Sequence, residues 1–157
     1  MGPERLEGRL WLAAGRRIAV VAGRYNAEIV DGLVEGALAA LRRQGVADSA
    51  LLVVRVPGAW ELPLAVRAVL RRSDCAAAVA LACVLRGETE HFRLVIEQAS
   101  QGLMSASLET GKPVGNGILA VYDRQQALAR SAEGPSNRGA EAALAALELA
   151  DLLETLA

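Results

Sequence analysis

The chain has 157 residues, 53% of them hydrophobic, with 17 basic against 18 acidic side chains; that length and apolar content suit one compact domain with a genuine core and are too small for two. Lys and Arg never run beyond a pair, and the longest apolar stretch, Ala76 to Leu85, is about half of what a bilayer requires, so neither nucleic acid nor a membrane is an expected partner. Cys75 and Cys83 lack the close Cys/His spacing of a zinc site and read as small core residues in a reducing compartment, so no disulfide and no metal are expected; the opening MGPERLEGRLW carries no secretory stretch, and the expected location is cytoplasmic.

Apolar segments of strand length alternate with helical periodicity along nearly the whole chain, the pattern of βα units on a parallel sheet. A first strand is expected over Arg17 to Ala22, followed by Gly23 and by Asn26 as N-cap of a helix whose apolar face is Ile29, Leu33, Ala37, Ala40 and Leu41, closed at Gln44-Gly45. The second strand, Leu51 to Val56, should stop at Pro57-Gly58, with a helix from Pro63 to Arg72 after it. Continuous hydrophobicity from Ala76 to Leu85 implies a third strand buried on both faces and central in the sheet. Phe92, Val95, Ile96, Ala99, Leu103 and Ala106 then recur at helical spacing up to Gly111. A fourth strand over Pro113 to Val121, a short helix from Asp123 to Ser131, a break at Glu133-Gly134-Pro135-Ser136 and a final helix from Asn137 to Leu156 complete the order. The fold class expected is α/β, a flavodoxin-like three-layer α/β/α sandwich on a central four-stranded parallel sheet. So small a sheet with such Ala- and Leu-rich helices implies cover from further copies, hence a homo-oligomer.

The densest chemistry lies at Arg86-Gly87-Glu88-Thr89-Glu90-His91, where the buried strand empties into a helix start and meets the only histidine. Thr89 or Glu88 can cap that helix, the amides of Gly87 to Glu90 suit an anion such as phosphate, and an uncharged imidazole there can accept a proton. An ordinary charged helix cap with a surface histidine fits the same residues equally well. Val56-Pro57-Gly58-Ala59-Trp60-Glu61-Leu62-Pro63 presents an aromatic and a carboxylate beyond a second strand end, suited to a planar heterocycle. Aromatic residues make up only 3% of the chain. Finding Tyr25, Trp60 and Phe92 all just past strand ends therefore favours one shared pocket over scattered core packing. Gly115-Asn116-Gly117-Ile118-Leu119-Ala120 fits the dinucleotide pattern G-x-G-x-x-A but falls inside a strand, so its glycines are read as sites of close backbone approach. Arg130 and Arg138 flank the Gly-Pro break and by themselves read as solvated helix-end charges. No nucleophile elbow and no phosphate loop occur.

Taken in order, Gly23-Arg24-Tyr25-Asn26, Val56 to Pro63, Leu85 to Phe92, Gly117-Ile118-Leu119, Gln126 to Arg130 and Asn137 to Ala143 make the chain resemble the lumazine synthase family. The resemblance implies a transferase that condenses 5-amino-6-(D-ribitylamino)uracil with 3,4-dihydroxy-2-butanone 4-phosphate, the penultimate step of riboflavin biosynthesis, with no cofactor. By position, Tyr25, Ala59, Trp60, Glu61, Cys83, Val84, Leu85 and Asn116 correspond to residues that bind the pyrimidine, Gly87, Glu88, Thr89 and Arg130 to the phosphate contacts, and His91 to the proton-transfer histidine. Arg138 is an accessory near the pocket, standing where lysine is more usual. Asn116 stands where many members carry an aromatic, and Ala120-Val121 where a Thr-Thr is common. The resemblance further implies one domain over residues 1–157 whose first fifteen residues pack on a neighbouring subunit, and pentamers with active sites between subunits. Some members build a sixty-subunit icosahedral shell, and association with riboflavin synthase is also implied. A non-catalytic lumazine- or flavin-binding or shell-forming protein of the same fold is the alternative.

Overall fold

The computed structural model describes all residues, Met1 to Ala157. Four strands, β1 (Arg17–Gly23), β2 (Leu51–Val56), β3 (Cys75–Leu85) and β4 (Val114–Val121), form one all-parallel sheet in the order β2-β1-β3-β4. Helices α1 (Ala27–Arg43), α2 (Leu62–Leu70), α3 (His91–Thr110), α4 (Arg124–Ser131) and α5 (Arg138–Leu156) cover its two faces. The winding reverses once: β1 to β2 runs one way along the sheet and β2 to β3 the other. Connections of one hand must then put α1 and α2 on opposite faces, and the crevice at the reversal, between β1 and β3, is where such sheets take ligands.

Strand alternation divides the core accordingly. Ile18, Val20 and Ala22 of β1 pack with Leu33 and Leu41 of α1 and Leu147 of α5, whereas Ala19 and Val21 pack with Leu62 and Val66 of α2 and Leu103 of α3. Cys75 to Cys83 are buried without a break, as the continuous apolar run requires, and β3 is central as expected; β1 is equally so. The flavodoxin-like three-layer sandwich is the architecture observed. Two short 3-10 turns, Asp48–Ala50 and Ala59–Glu61, precede β2 and α2; no periodicity marks segments so brief. Pro63 lies in the first turn of α2, where its missing N–H costs nothing, so the helix starts one residue before it.

Gly115 and Gly117 turn toward α5, and side chains there would collide with the Ala142 backbone and with Leu81. The G-x-G pattern therefore records close helix-on-sheet packing within the chain. Asn137 caps α5 through the Ala140 amide and donates from its own amide to the carbonyls of Gly32, Ser131 and Ala132, joining α4, α5 and α1 at one buried point. The N-terminal extension is exposed over residues 1–7 and from Gly8 onward lies on α5 of its own chain. Arg9 donates to buried Asp151 from its backbone at 2.7 Å and from its guanidinium at 3.1 Å, and that guanidinium stacks 4.8 Å above Trp11. No helix is long and apolar enough to cross a membrane.

Candidate active site

The site begins where β1 and β3 part. Their register ends with Ala22 opposite Leu81, while β1 stays paired to β2 for one further residue, Gly23 opposite Val56. Arg24 and Tyr25 then donate their amides to the Pro57 carbonyl, at 3.0 and 3.1 Å, so the turn after β1 is fastened to the turn after β2. The crevice that opens is a cavity of about 710 Å³, walled by Tyr25, Ala59, Trp60, Glu61, Cys83, Val84, Leu85 and His91. Eight residues singled out from the sequence thus converge on one space, from four segments of the chain.

Its chemistry is that of a slot for a flat, polar-edged molecule. Tyr25 and Trp60 stand 67% and 56% exposed, an unusual state for large aromatics with a core so near, and their faces are available for stacking. Tyr25 lies against Gly58, where only a missing side chain leaves room for the ring. Glu61 lines the cavity and has one carboxylate oxygen buried without a hydrogen-bond partner. The Cys83 side chain belongs to the core on the α1 face, and burial pushes its thiol up, so it offers the cavity backbone and bulk instead of a nucleophile.

His91 is the first residue of α3. Its amide reaches the Thr89 hydroxyl at 3.3 Å, so Thr89 and not Glu88 closes the helix start; Glu90 holds the cap position without a side-chain bond. One step along a helix turns about 100°. While His91 faces the large cavity, Phe92 faces a separate concavity of about 260 Å³ that also contains Arg86, Gly87, Glu88, Thr89 and Tyr122. The expectation that Tyr25, Trp60 and Phe92 share one pocket is corrected accordingly: two of them do. In that second concavity the Arg86 guanidinium stacks 5.3 Å from the Tyr122 ring centre.

Asn26 does not cap α1 as expected. Its backbone is left-handed, φ 59°, and its side chain makes no cap bond but donates to the Cys83 carbonyl at 2.8 Å. It lines the cavity with Gly23, Gly58, Leu94 and Val95, none of which the sequence had singled out as a site residue. An Asn ahead of an apolar helix signals a cap so strongly that this other use was masked. Three other expected residues lie outside both spaces. Asn116 sits on the exposed side of β4, accepting from the Ile118 amide at 3.0 Å; Arg130 donates to the Gln126 carbonyl at 3.1 Å; Arg138 lies 3.7 Å from Glu141.

A parallel α/β sandwich with an aromatic-walled crevice at its strand reversal has the architecture in which open α/β sheets bind small molecules. A family model described as 6,7-dimethyl-8-ribityllumazine synthase matches residues 15–154. The 6,7-dimethyl-8-ribityllumazine synthase of Xanthomonas campestris pv. campestris (strain B100) is 48% identical over 140 residues, 89% of this chain and 91% of that protein. The protein of the same name from Xylella fastidiosa (strain M12) is 47% identical over 143 residues, 91% of this chain and 93% of that one. The chain belongs to the 6,7-dimethyl-8-ribityllumazine synthase family.

Proposed function

We infer that this chain is a transferase of riboflavin biosynthesis that condenses 5-amino-6-(D-ribitylamino)uracil with 3,4-dihydroxy-2-butanone 4-phosphate, giving 6,7-dimethyl-8-ribityllumazine, phosphate and water. The observation that carries this reading is the meeting of Tyr25, Trp60, Glu61 and His91 in one cavity. The pyrimidine stacks between Tyr25 and Trp60 with its polar edge on the Cys83 to Leu85 backbone, and Glu61 takes ribityl hydroxyls. Gly87, Glu88 and Thr89 hold the phosphate at the start of α3, as helix N-termini hold anions.

With both substrates held, the primary amine adds to the ketone and water leaves to give an imine. The hydroxyl-bearing carbon then gives up a proton as phosphate departs from its neighbour, leaving an enol; its terminal carbon takes up a proton and the enol oxygen loses one to give a methyl ketone, which the second amine attacks to close the ring with loss of another water. His91 carries the protons in these steps, and proximity supplies much of the rate, because both substrates already contain the reacting groups.

The assembly proposed is a homo-oligomer built of pentamers, with each site completed by a neighbour. Beside the phosphate turn, carboxylates outnumber guanidiniums: Glu88, Glu90 and Glu97 against Arg86 and Arg93. A phosphate dianion needs more positive charge than one chain provides, and Arg130 of the next subunit supplies it, with Asn116 and Arg138 at the same junction. Leu94, Met104 and Leu108 on α3 stand exposed in a single chain, in keeping with cover by another copy. The pentamers form in the cytoplasm, with the N-terminal extension, residues 1–15, also against a neighbour and the product passing to riboflavin synthase. Mixing the protein with both substrates should produce lumazine absorbance; binding of the pyrimidine without turnover would instead mark a non-catalytic member of the family. Size-exclusion chromatography should give a pentamer or the larger shell, and a monomer would refute the shared site.

A further inference from the structure

Asn26 is the one non-glycine residue with a positive φ, and it stands at the point where β1 leaves β3. Continuing the β1–β3 register past Ala22 and Leu81 would bring Arg24 opposite Cys83, but by then β1 has turned away with β2. The Asn26 amide takes the place of the missing strand, donating to the Cys83 carbonyl at 2.8 Å. On its other flank the same turn is tied to the Pro57 carbonyl through the Arg24 and Tyr25 amides. A left-handed backbone is what aims the amide back at β3, and asparagine is among the few side chains that accept it.

We propose that Asn26 is a positioning residue for the pyrimidine substrate: its amide bridge to Cys83 fixes the width of the cleft between Tyr25 and the end of β3. This rests on the synthase reading above. Asn26 acts through Tyr25, whose ring precedes it by one residue, and the distance set is the one a flat heterocycle must match to stack on that ring while meeting the Cys83 to Leu85 backbone.

Steady-state kinetics of the full-length enzyme test this. Asn26→Gly keeps the left-handed backbone and removes the donor, and should raise KM for the pyrimidine about tenfold, with KM for the phosphate substrate within about twofold. Asn26→Asp sets a carboxylate against the carbonyl and should do more harm, whereas Asn26→His, which accepts the same backbone and retains an N–H, should recover most of the loss. Added to Tyr25→Ala, Asn26→Gly should cost less than about twofold further, because its effect runs through the ring already removed. Additive losses, equal losses for both substrates, or an Asn26→His as impaired as Asn26→Asp would overturn the assignment; should Asn26→Gly fail to fold, the Asp and His pair decides. Failure of the synthase reading is a different result, a wild-type protein that forms no lumazine at all.

Discussion

Gly58 is the position where one added methyl group should separate stability from function. Its backbone is extended, φ −163° and ψ −166°, so alanine meets no conformational penalty there. The new Cβ would stand 2.5 Å from Cδ2 and 2.9 Å from Cε2 of Tyr25. Carbon atoms rest at about 3.5–4.0 Å, so the ring must retreat by about 1 Å. Tyr25 is exposed and can swing outward into solvent, which limits the cost in folding stability to less than about 1 kcal/mol. The same retreat takes the ring out of stacking register with the pyrimidine, an interaction of about 1–3 kcal/mol, equivalent to about a five- to 150-fold rise in KM for that substrate. Thermal unfolding and initial rates with each substrate varied in turn would measure both effects. A Gly58→Ala enzyme with wild-type affinity for the pyrimidine, or one whose affinity falls only in proportion to a large loss of folded protein, would refute the placement of Tyr25 in the site.

His91→Ala should lower the single-turnover rate about a hundredfold with little change in the binding of either substrate, in line with the loss of one positioned acid–base group; rapid-mixing absorbance measures it. Arg130→Lys keeps the charge but loses the paired geometry of the guanidinium, so KM for the phosphate substrate should rise about tenfold while that for the pyrimidine stays near its original value. The Arg9 guanidinium beside Asp151 holds that carboxyl below the usual carboxylate range. A depressed folded value means stabilisation that is complete above the ordinary range and is lost as the pH falls through it toward the folded value. Urea unfolding should therefore weaken with acid less steeply in Arg9→Met than in the wild type, and parallel slopes would show that the N-terminal segment contributes nothing through this pair.

The central strand was legible because burial on both faces leaves no polar alternation to confuse it: Val79 to Leu81 could only be interior, and the observed β3 extends the apolar run by a single residue. The strand-end motifs were legible for a topological reason. A parallel sheet gathers every segment that follows a strand at the same end, so Tyr25, Trp60 and His91 had to come near one another whatever the detailed packing. Sequence order says nothing of helical phase within a turn, and that is where Phe92 was misplaced, one step from His91 and facing another concavity. Asn26 was misread because its two uses, helix cap and bridge to a departing strand, begin from the same residue type; only the register of β1 against β3 tells them apart. Asn116, Arg130 and Arg138 were reached through resemblance alone, since nothing within one chain draws them to the cavity.

That last separation makes the shared site testable by complementation. His91→Ala lacks the proton carrier but keeps Arg130, and Arg130→Ala lacks the phosphate clamp but keeps His91; each alone should be nearly inactive. If every site takes His91 from one subunit and Arg130 from the next, a ring assembled at random from equal amounts of the two contains intact sites wherever an Arg130→Ala subunit offers its histidine to a His91→Ala neighbour. That arrangement occurs at about one junction in four, so co-refolded mixtures should regain about a quarter of wild-type activity, while the two variants mixed as preformed assemblies should regain none. The carboxylate excess around Gly87 to Thr89 is what favours this outcome, because Glu88, Glu90 and Glu97 offset Arg86 and Arg93 and leave a dianion short of positive charge. Were Arg130 to serve its own chain, no mixture would contain an intact site, and co-refolding would leave activity at the level of the single variants.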